Sequence, residues 1–246
     1  MKKLMITAAA ALCATAAAYA EGVESGIVGY AGNDLNTGNR RALVSTMFST
    51  VGNAEKALKF GDIKPVGSTT VGNGRVTIYT LQDTGKTDQT YRWNGSIWTH
   101  NSADASNETL PEGKGLWVLC TLGASETCQL QSAGAVNTTD DIVVRLNGGN
   151  KRIAIGNAFP TAIKLSDIVP EAVTEGQTIG NGRVTIYTLL DTGKTDQTYR
   201  WNGSIWTHNS ADASNETFPA GKGLWVLCTV PEATTLVNLR FKNPIK

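Results

Sequence analysis

Short runs rich in β-branched and aromatic residues, separated by glycine-containing turns, dominate the chain. Arg75 to Leu81 is such a run, and Thr90 to Thr99 forms two more around Asn94-Gly95, a dipeptide favoured in two-residue type I′ turns. This turn predicts that Trp93 pairs with Ser96. Since paired residues share a face, the predicted hairpin has one aromatic face, formed by Tyr91, Trp93, Trp98 and His100.

Other segments extend the same pattern. Leu116 to Cys120 is apolar throughout, which is typical of a strand covered on both faces. Only Asn53 to Phe60 has helical spacing, with Asn53 as its N-cap. Many short strands predict an all-β fold with little helix, built as two tandem β-sandwich-like or barrel-like domains. Weaker strand patterns cover Arg41 to Phe48, Ile142 to Leu146, Arg152 to Ala158 and Thr235 to Phe241.

An internal repeat explains why two domains are expected. Residues Gly72 to Thr121 recur at Gly180 to Thr229 with an offset of 108, and only three of these 50 positions differ. A recent duplication or recombination is favoured over shared selection for a ligand, because near-identity also includes the turns. The flanks have drifted. We predict a β-domain at residues 21–132, a small polar linker at 133–140 and a second β-domain at 141–246.

The first twenty residues have the pattern of a signal peptide. Lys2 and Lys3 precede the alanine-rich apolar run Leu4 to Ala18, and Ala18-Tyr19-Ala20 has the small-x-small pattern of a cleavage site. We therefore expect cleavage after Ala20 and a secreted mature chain, whether extracellular, cell-surface or periplasmic. No later segment approaches the ~20 apolar residues of a spanning helix, so no membrane span is predicted.

Charge and residue usage narrow the function classes. The 22 basic and 21 acidic residues nearly balance, which argues against nucleic acid as a partner. The two histidines are repeat-equivalent, and no zinc spacing or phosphate-binding loop is present. Asp83 to Asp88 and Asp104 to Glu108 place carboxylates in loops, but ordinary polar turns are favoured over calcium sites. We predict no catalytic residue, no metal and no cofactor.

Three cysteines remain after removal of the signal peptide. If Leu116 to Cys120 and the segment from Cys128 form adjacent antiparallel strands, Cys120 and Cys128 face each other, and we predict a disulfide between them. Cys228 would then lie beside Leu236 as a buried thiol. A Cys120–Cys228 bridge and an intermolecular bond through Cys228 are the alternatives.

The aromatic residues are the remaining candidates for a binding site. Each ring offers a flat apolar face, so an exposed set would form a platform for sugar rings or a protein partner. The competing interpretation, which we favour, is that the rings form the core of each domain. The candidate residues are Tyr91, Trp93, Trp98 and Trp117, with their copies Tyr199, Trp201, Trp206 and Trp225.

Several short motifs resemble a known group of proteins. They are Gly26 to Tyr30, Leu35 and Gly38 before Phe48, Tyr-x-Trp-Asn-Gly-x-x-Trp from Tyr91, and Pro-x-Gly-x-Gly-x-Trp-Val from Pro111. Together they resemble exported tandem β-repeat proteins of planctomycete and verrucomicrobial bacteria. The resemblance spans nearly the whole mature chain and implies secretion and a repeated β-domain. It carries over no catalytic residue.

Three functional hypotheses follow. The first is a secreted, non-enzymatic extracellular or cell-surface protein with a structural or adhesive role, in which exposed edge strands allow self-association. The second is a carbohydrate-binding protein with two aromatic sites for an extracellular glycan, which gains avidity from tandem display. The third is a secreted hydrolase, which requires a pair of exposed carboxylates in a cleft.

Overall fold

The computed structural model describes residues 28–246 except 36, 53–56, 83, 147, 191–192 and 232–235. The predicted signal peptide, 1–20, lies outside the described residues. Within them, regular structure consists of antiparallel β-strands and two short 3-10 turns, Phe60–Asp62 and Leu165–Asp167. The all-β prediction is therefore confirmed. None of the helical segments in this part of the chain is long and apolar enough to cross a membrane.

The first unit contains two main sheets. A three-stranded sheet has the order β1-β11-β4, a six-stranded sheet has the order β2-β10-β5-β6-β7-β8, and β3 pairs with β9 beside them. The strands are β1 (Val28–Leu35), β2 (Arg40–Ser45), β3 (Ala57–Lys59), β4 (Ile63–Gly67), β5 (Val76–Leu81), β6 (Thr87–Trp93), β7 (Trp98–His100), β8 (Ala103–Asp104), β9 (Thr109–Pro111), β10 (Gly115–Cys120) and β11 (Cys128–Ala135).

The second unit repeats this topology strand by strand. Its sheets have the orders β12-β22-β15 and β13-β21-β16-β17-β18-β19, with β14 paired to β20. The strands are β12 (Ile142–Leu146), β13 (Lys151–Gly156), β14 (Ile163–Lys164), β15 (Ile168–Ala172), β16 (Val184–Leu189), β17 (Thr195–Trp201), β18 (Trp206–His208), β19 (Ala211–Asp212), β20 (Thr217–Phe218), β21 (Gly223–Cys228) and β22 (Val237–Phe241).

Each unit has its own hydrophobic core between its two main sheets. In the first unit Val76, Ile78 and Val118 of the larger sheet are fully buried against the smaller one, which contributes Leu130. Alternation along the strands explains this, because every second side chain of β5 and β10 points to the core face. The structure is thus two sandwich-like units in tandem.

The two units also contact each other through a pair of equivalent backbone hydrogen bonds. Ser45 N donates to Gly221 O at 2.8 Å, and Gly156 N donates to Gly113 O at 3.2 Å. Ser45 of the first unit is equivalent to Gly156 of the second, and Gly113 is equivalent to Gly221. The contact therefore has approximate two-fold symmetry, as in an isologous dimer. A Cβ on Gly115 would lie 2.9 Å from the backbone carbon of Ala154. Glycine at this position therefore permits the close backbone approach.

The hairpin register differs from the prediction by two residues. Trp93 pairs with Trp98 and Tyr91 with His100, so the loop has four residues instead of two. The Asn94 side-chain oxygen accepts hydrogen bonds from the N–H groups of Ser96 and Ile97, and this local bonding closes the wider turn. Because the shift is even, the predicted aromatic face is retained.

Two further expectations from the sequence are corrected. The described part of the predicted helix Asn53 to Phe60 forms β3 and the start of a 3-10 turn, because Leu58 pairs with Leu110 of β9 and tertiary pairing overrides helical propensity. The predicted linker 133–140 begins too early. Strand β11 continues to Ala135, which pairs with Val28.

The cysteines lie between sheets of the first unit, not on adjacent strands. Cys120 is on β10, Cys128 is on β11, and both are buried free thiols in this structure. A hydrogen bond joins the two side chains and lowers the pKa of Cys120 while raising the pKa of Cys128. The predicted disulfide is therefore not formed here, although the thiols are in contact.

The environment of Cys228 also differs from the prediction. Cys128 pairs with Gly67 of β4, and Val237 pairs with Ala172 of β15, the equivalent strand. The residue equivalent to Cys128 is therefore Val237, not Leu236, because the second unit contains one additional residue before β22. Burial raises the pKa of the Cys228 thiol, which keeps it in the unreactive neutral form.

Candidate functional site

Six of the eight aromatic candidates belong to the core. Trp98 is 1% exposed, Trp206 is fully buried, and Tyr91, Trp93, Tyr199 and Trp201 are at most 7% exposed. The indole N–H groups are also satisfied inside the protein, since Trp98 donates to Ile63 O at 2.9 Å. An exposed aromatic platform on these six rings is therefore wrong, and the core interpretation holds.

The other two candidates, Trp117 and Trp225, lie where the units meet. Their ring centroids are 6.4 Å apart, and both are half-buried. Each tryptophan is also close to a glycine turn of the other unit, Gly85 near Trp225 and Gly193 near Trp117. These rings link the units across the approximate two-fold axis. They do not form a free surface for a ligand.

The structure instead reveals a polar cleft that occurs once in each unit. In the first unit it encloses about 450 Å³ between the ends of β5 and β6 and the segment from β9 to β10. Polar side chains from both sides line it, and Leu81, Leu110, Pro111 and Leu116 form its apolar part. The polar lining residues are Thr80, Gln82, Asp88, Gln89, Tyr91, Thr109 and Lys114.

The second cleft is formed by the corresponding residues. It encloses about 240 Å³ and includes Thr188, Asp196, Gln197, Tyr199 and Lys222. Phe218 lines it at the position of Leu110 in the first cleft. The two clefts therefore share most of their polar lining, but Gln82 of the first cleft corresponds to Leu190 in the second unit.

A bulge shapes the edge of each cleft. Pairing between β5 and β6 shifts register between Tyr79 and Leu81, and the same shift occurs between Tyr187 and Leu189. In the first unit Thr80 Oγ1 accepts a hydrogen bond from Gln89 N at 3.0 Å. Thr188 and Gln197 repeat this bond at the same distance. The local sequence thus reproduces one cleft edge twice.

A Tyr-Glu-His cluster lies beside each cleft. The Tyr91 hydroxyl donates to Glu108 Oε2 at 2.8 Å, and His100 Nδ1 is 3.2 Å from Glu108 Oε1. Tyr199, Glu216 and His208 repeat the arrangement, with a 2.6 Å bond from the tyrosine. Burial, reinforced by the glutamate, raises the pKa of both tyrosines. Each tyrosine therefore remains a neutral donor that ties the Glu108 or Glu216 segment to the hairpin.

The clusters do not combine the parts of a hydrolytic triad. The hydroxyl group in contact with the glutamate is the tyrosine, and its raised pKa disfavours the nucleophilic phenolate form. Within the described ranges of the chain, no group of three or more histidine, cysteine, aspartate or glutamate side chains is arranged to hold a metal ion. The geometry is suited to binding polar groups in the cleft.

Comparisons with known proteins give little further information. No protein-family model matches the chain, and no curated protein matches it. Among solved structures, the chain is similar to the PBSX exported protein XepA, with 12% identity over 88% of this chain and 86% of that chain. The TM-score is 0.20, which supports no inference about fold or function.

Sequence reasoning missed the clefts because it looked for aromatic rings. Asp88, Gln89 and Lys114 are separated along the chain and match no short motif. The sequence feature that could have indicated the clefts is that exposed polar residues are identical in the two repeats, as at Asp88 and Asp196. Asp88 lies exposed on β6 and Asp196 exposed on β17, where packing constrains a side chain less than in the core, so their identity keeps this charge in both clefts.

Proposed function

We propose that the protein is secreted after cleavage following Ala20 and has a non-enzymatic, structural or adhesive role outside the cell or at its surface. The sequence of residues 1–20 and the resemblance to exported tandem β-repeat proteins support export. The observation that carries the adhesive role is the duplicated cleft, with Asp88, Gln89 and Lys114 in one unit and Asp196, Gln197 and Lys222 in the other.

Two similar sites on one chain suit attachment. When two sites engage one polymer, the second contact is intramolecular, and avidity exceeds the affinity of either site. The contact between the units supports this arrangement, because paired backbone bonds and the Trp117–Trp225 contact hold the sites on one body.

Carbohydrate binding is the second candidate, but the polar clefts now support it in place of the aromatic rings. The buried rings are not available for stacking, but the clefts offer hydroxyl, amide and charged groups suited to sugar hydroxyls. Under this second candidate, the glycan binds in these clefts and not on a tryptophan platform.

A hydrolase is less well supported. A third depression, formed in the first unit around Leu35 and Arg40, contains the carboxylates Asp34 and Glu126. Hydrogen bonds from Thr69 and from the N–H of Gly123 lower the pKa of Glu126. A general acid needs the opposite shift, so Glu126 is poorly suited to protonate a leaving group.

The test uses the mature chain, residues 21–246. We expect retention on insoluble polysaccharides or on a glycan array, or concentration-dependent assembly in sedimentation velocity, without release of reducing ends from the same polysaccharides. Assembly without glycan retention favours a structural role, and retention without assembly favours adhesion to a glycan. Absence of both glycan retention and assembly, or hydrolysis of a polysaccharide, would overturn the proposal.

A further inference from the structure

We propose that a second depression in each unit binds an acidic saccharide, with Arg92 or Arg200 holding its carboxylate or sulfate group. The depression lies on the outer face of the six-stranded sheet, away from the Tyr-Glu-His cluster. This inference rests on the adhesive role proposed above and adds a second site, separate from the clefts, with its own class of ligand.

The depression is observed in the second unit, where it encloses about 590 Å³. Every lining residue has a side chain that can form hydrogen bonds, and none of them is a carboxylate. Saccharides present many hydroxyl groups to such surfaces, and a single cation adds selectivity for an anionic group. The lining residues are Asn181, Thr198, Arg200, Asn202, Thr207, Asn209 and Ser210.

Strand geometry places these side chains together. Tyr199 and Trp201 point into the core, so Thr198 and Arg200 of the same strand point outward. Arg200 pairs with Thr207 across the hairpin. On one side, a hydrogen bond from Gly182 N to Trp201 O at 2.7 Å holds the turn that contains Asn181.

Arg200 has no counter-ion within the described part of the chain. Among the described residues, the Arg200 guanidinium forms no ion pair or side-chain hydrogen bond, whereas Arg240 bonds Glu171 at 2.9 Å and Arg152 stacks on Tyr187. The Asn202 side-chain oxygen already accepts the N–H groups of Ser204 and Ile205. The amide donor of Asn202 and the five guanidinium donors therefore favour an acceptor-rich, anionic ligand.

The rim of the depression has an unfavourable backbone conformation. Asn209 and Ser210 form the two-residue turn between β18 and β19, with φ values of 50° and 69°. Asparagine tolerates this left-handed region, but serine rarely adopts it, and glycine is the usual residue. A strained conformation that places a hydroxyl group at the rim is consistent with a role for that hydroxyl in binding.

The neighbouring charge restricts the ligand. Thr207 of β18 pairs with Arg200 on one side and with Asp212 of β19 on the other. Hydrogen bonds from Ser214 lower the pKa of Asp212, so it stays ionised. Asp212 repels an anionic group placed beside it. The carboxylate or sulfate of the ligand therefore binds at Arg200, and neutral hydroxyls of the sugar lie towards Asp212.

The first unit has the same seven residue types. Thr99 Oγ1 donates to Arg92 O at 3.1 Å, as Thr207 does to Arg200 O, and the turn residues Asn101 and Ser102 have φ values of 49° and 68°. Because sequence, hydrogen bonding and turn conformation repeat, we extend the proposed site to the first unit. The set in this unit is Asn73, Thr90, Arg92, Asn94, Thr99, Asn101 and Ser102.

The test compares retention of the mature chain on immobilised polygalacturonate, dextran sulfate and neutral dextran. We expect retention on one or both acidic polymers and none on dextran. The uronate and sulfate polymers separate the two sources of the anionic group. The double variant Arg92→Gln with Arg200→Gln should weaken binding at least tenfold.

A matched control removes the same charge elsewhere. Arg145→Gln with Lys64→Gln changes two exposed cations outside the depressions and should alter affinity less than twofold. Thermal unfolding of both double variants should match the parent, since all four side chains are exposed.

Other outcomes overturn the inference. These are equal losses in both double variants, equal retention on dextran, or equally tight binding of a single-stranded oligonucleotide. Retention on a neutral glycan alone, or assembly without glycan binding, would refute the acidic ligand and leave the adhesive role standing. Absence of all binding and assembly would refute both proposals.

Discussion

Five strands of the six-stranded sheet are near copies between the two units, whereas the remaining strand, β2 or β13, and the three-stranded covering sheets differ. Trp93 pairs with Trp98 in one hairpin and Trp201 with Trp206 in the other. On the covering sheet, by contrast, Ser132 of β11 occupies the position of Phe241 of β22. The covering sheet has only to fill a core, and different residues can do so. The larger sheet contributes the clefts and the outer depressions.

The largest expected effect tests whether the two hairpin cores are equivalent. Trp98→Ala and Trp206→Ala should each lower the free energy of unfolding by about 3 to 5 kcal/mol, because each removes a fully buried ring and its bond to a backbone carbonyl of the covering sheet. Urea denaturation followed by circular dichroism measures the loss.

The exposed turn substitution Val51→Ala serves as the control and should change the free energy by less than about 0.5 kcal/mol. A large loss for only one of the two tryptophans would contradict the equivalence of the units.

The next prediction uses the difference in cysteine content between the units. The first unit has Cys120 and Cys128, whereas the second has only Cys228. Oxidation of Cys120 and Cys128 should raise the free energy of unfolding of the first unit by about 2 to 3 kcal/mol, because the bridge closes a short loop in the unfolded chain. The measurement is the denaturation midpoint with and without reductant, after oxidation by glutathione disulfide.

The two units supply matched variants for this experiment. Cys128→Val copies the second unit and should abolish the effect of reductant, whereas Val237→Cys places a thiol opposite Cys228 and should create the same effect there. Non-reducing peptide mapping that finds Cys120 and Cys128 unlinked after oxidation would refute the predicted bridge.

A smaller effect concerns a compensating pair. The first unit has Phe60 and Leu110, and the second has Leu165 and Phe218 at the equivalent positions, so each core contains one ring and one leucine. Leu110→Phe alone should cost about 1 to 3 kcal/mol by overpacking, and adding Phe60→Leu should recover most of that cost. A thermodynamic double-mutant cycle measures the coupling, and additive losses would contradict compensation.

The smallest effect is a gain in stability. Ser102→Gly and Ser210→Gly should each stabilise the protein by about 0.5 to 1 kcal/mol, because glycine adopts the positive φ of these turns without strain. Calorimetric unfolding measures the gain. The exposed Ser96→Gly, whose φ is not positive, is the control and should not stabilise. Destabilisation by both turn variants would show that the serines make interactions that outweigh the strain.

The sequence predicted the fold class and the repeat well because both depend on alternation and local identity. Leu116 to Cys120 was predicted as a doubly covered strand, and β10 has Trp117 half-buried on its second face by the other unit. Pairing between strands that are distant in sequence was harder to predict. Leu58 has helical neighbours in sequence, and only its pairing with Leu110 makes the segment a strand.

Turn chemistry explains the other differences. Asn94-Gly95 has the composition of a type I′ turn, but the Asn94 side chain closes a four-residue loop, and the two-residue turn lies at Asn101-Ser102. Prediction of the candidate site required knowing which face of the hairpin is exposed to solvent. The sequence identified the face that carries Tyr91 and Trp93, whereas the depression proposed as a ligand site contains Arg92 on the opposite face.

The central claim is that one chain presents two equivalent ligand sites, and the number of sites can be counted directly. Isothermal titration of the mature chain with a short oligogalacturonate should give two equivalent sites per chain, and Arg92→Gln or Arg200→Gln alone should leave one site of unchanged affinity. A stoichiometry of one that neither variant alters, or no binding of this or any other glycan, would contradict the account.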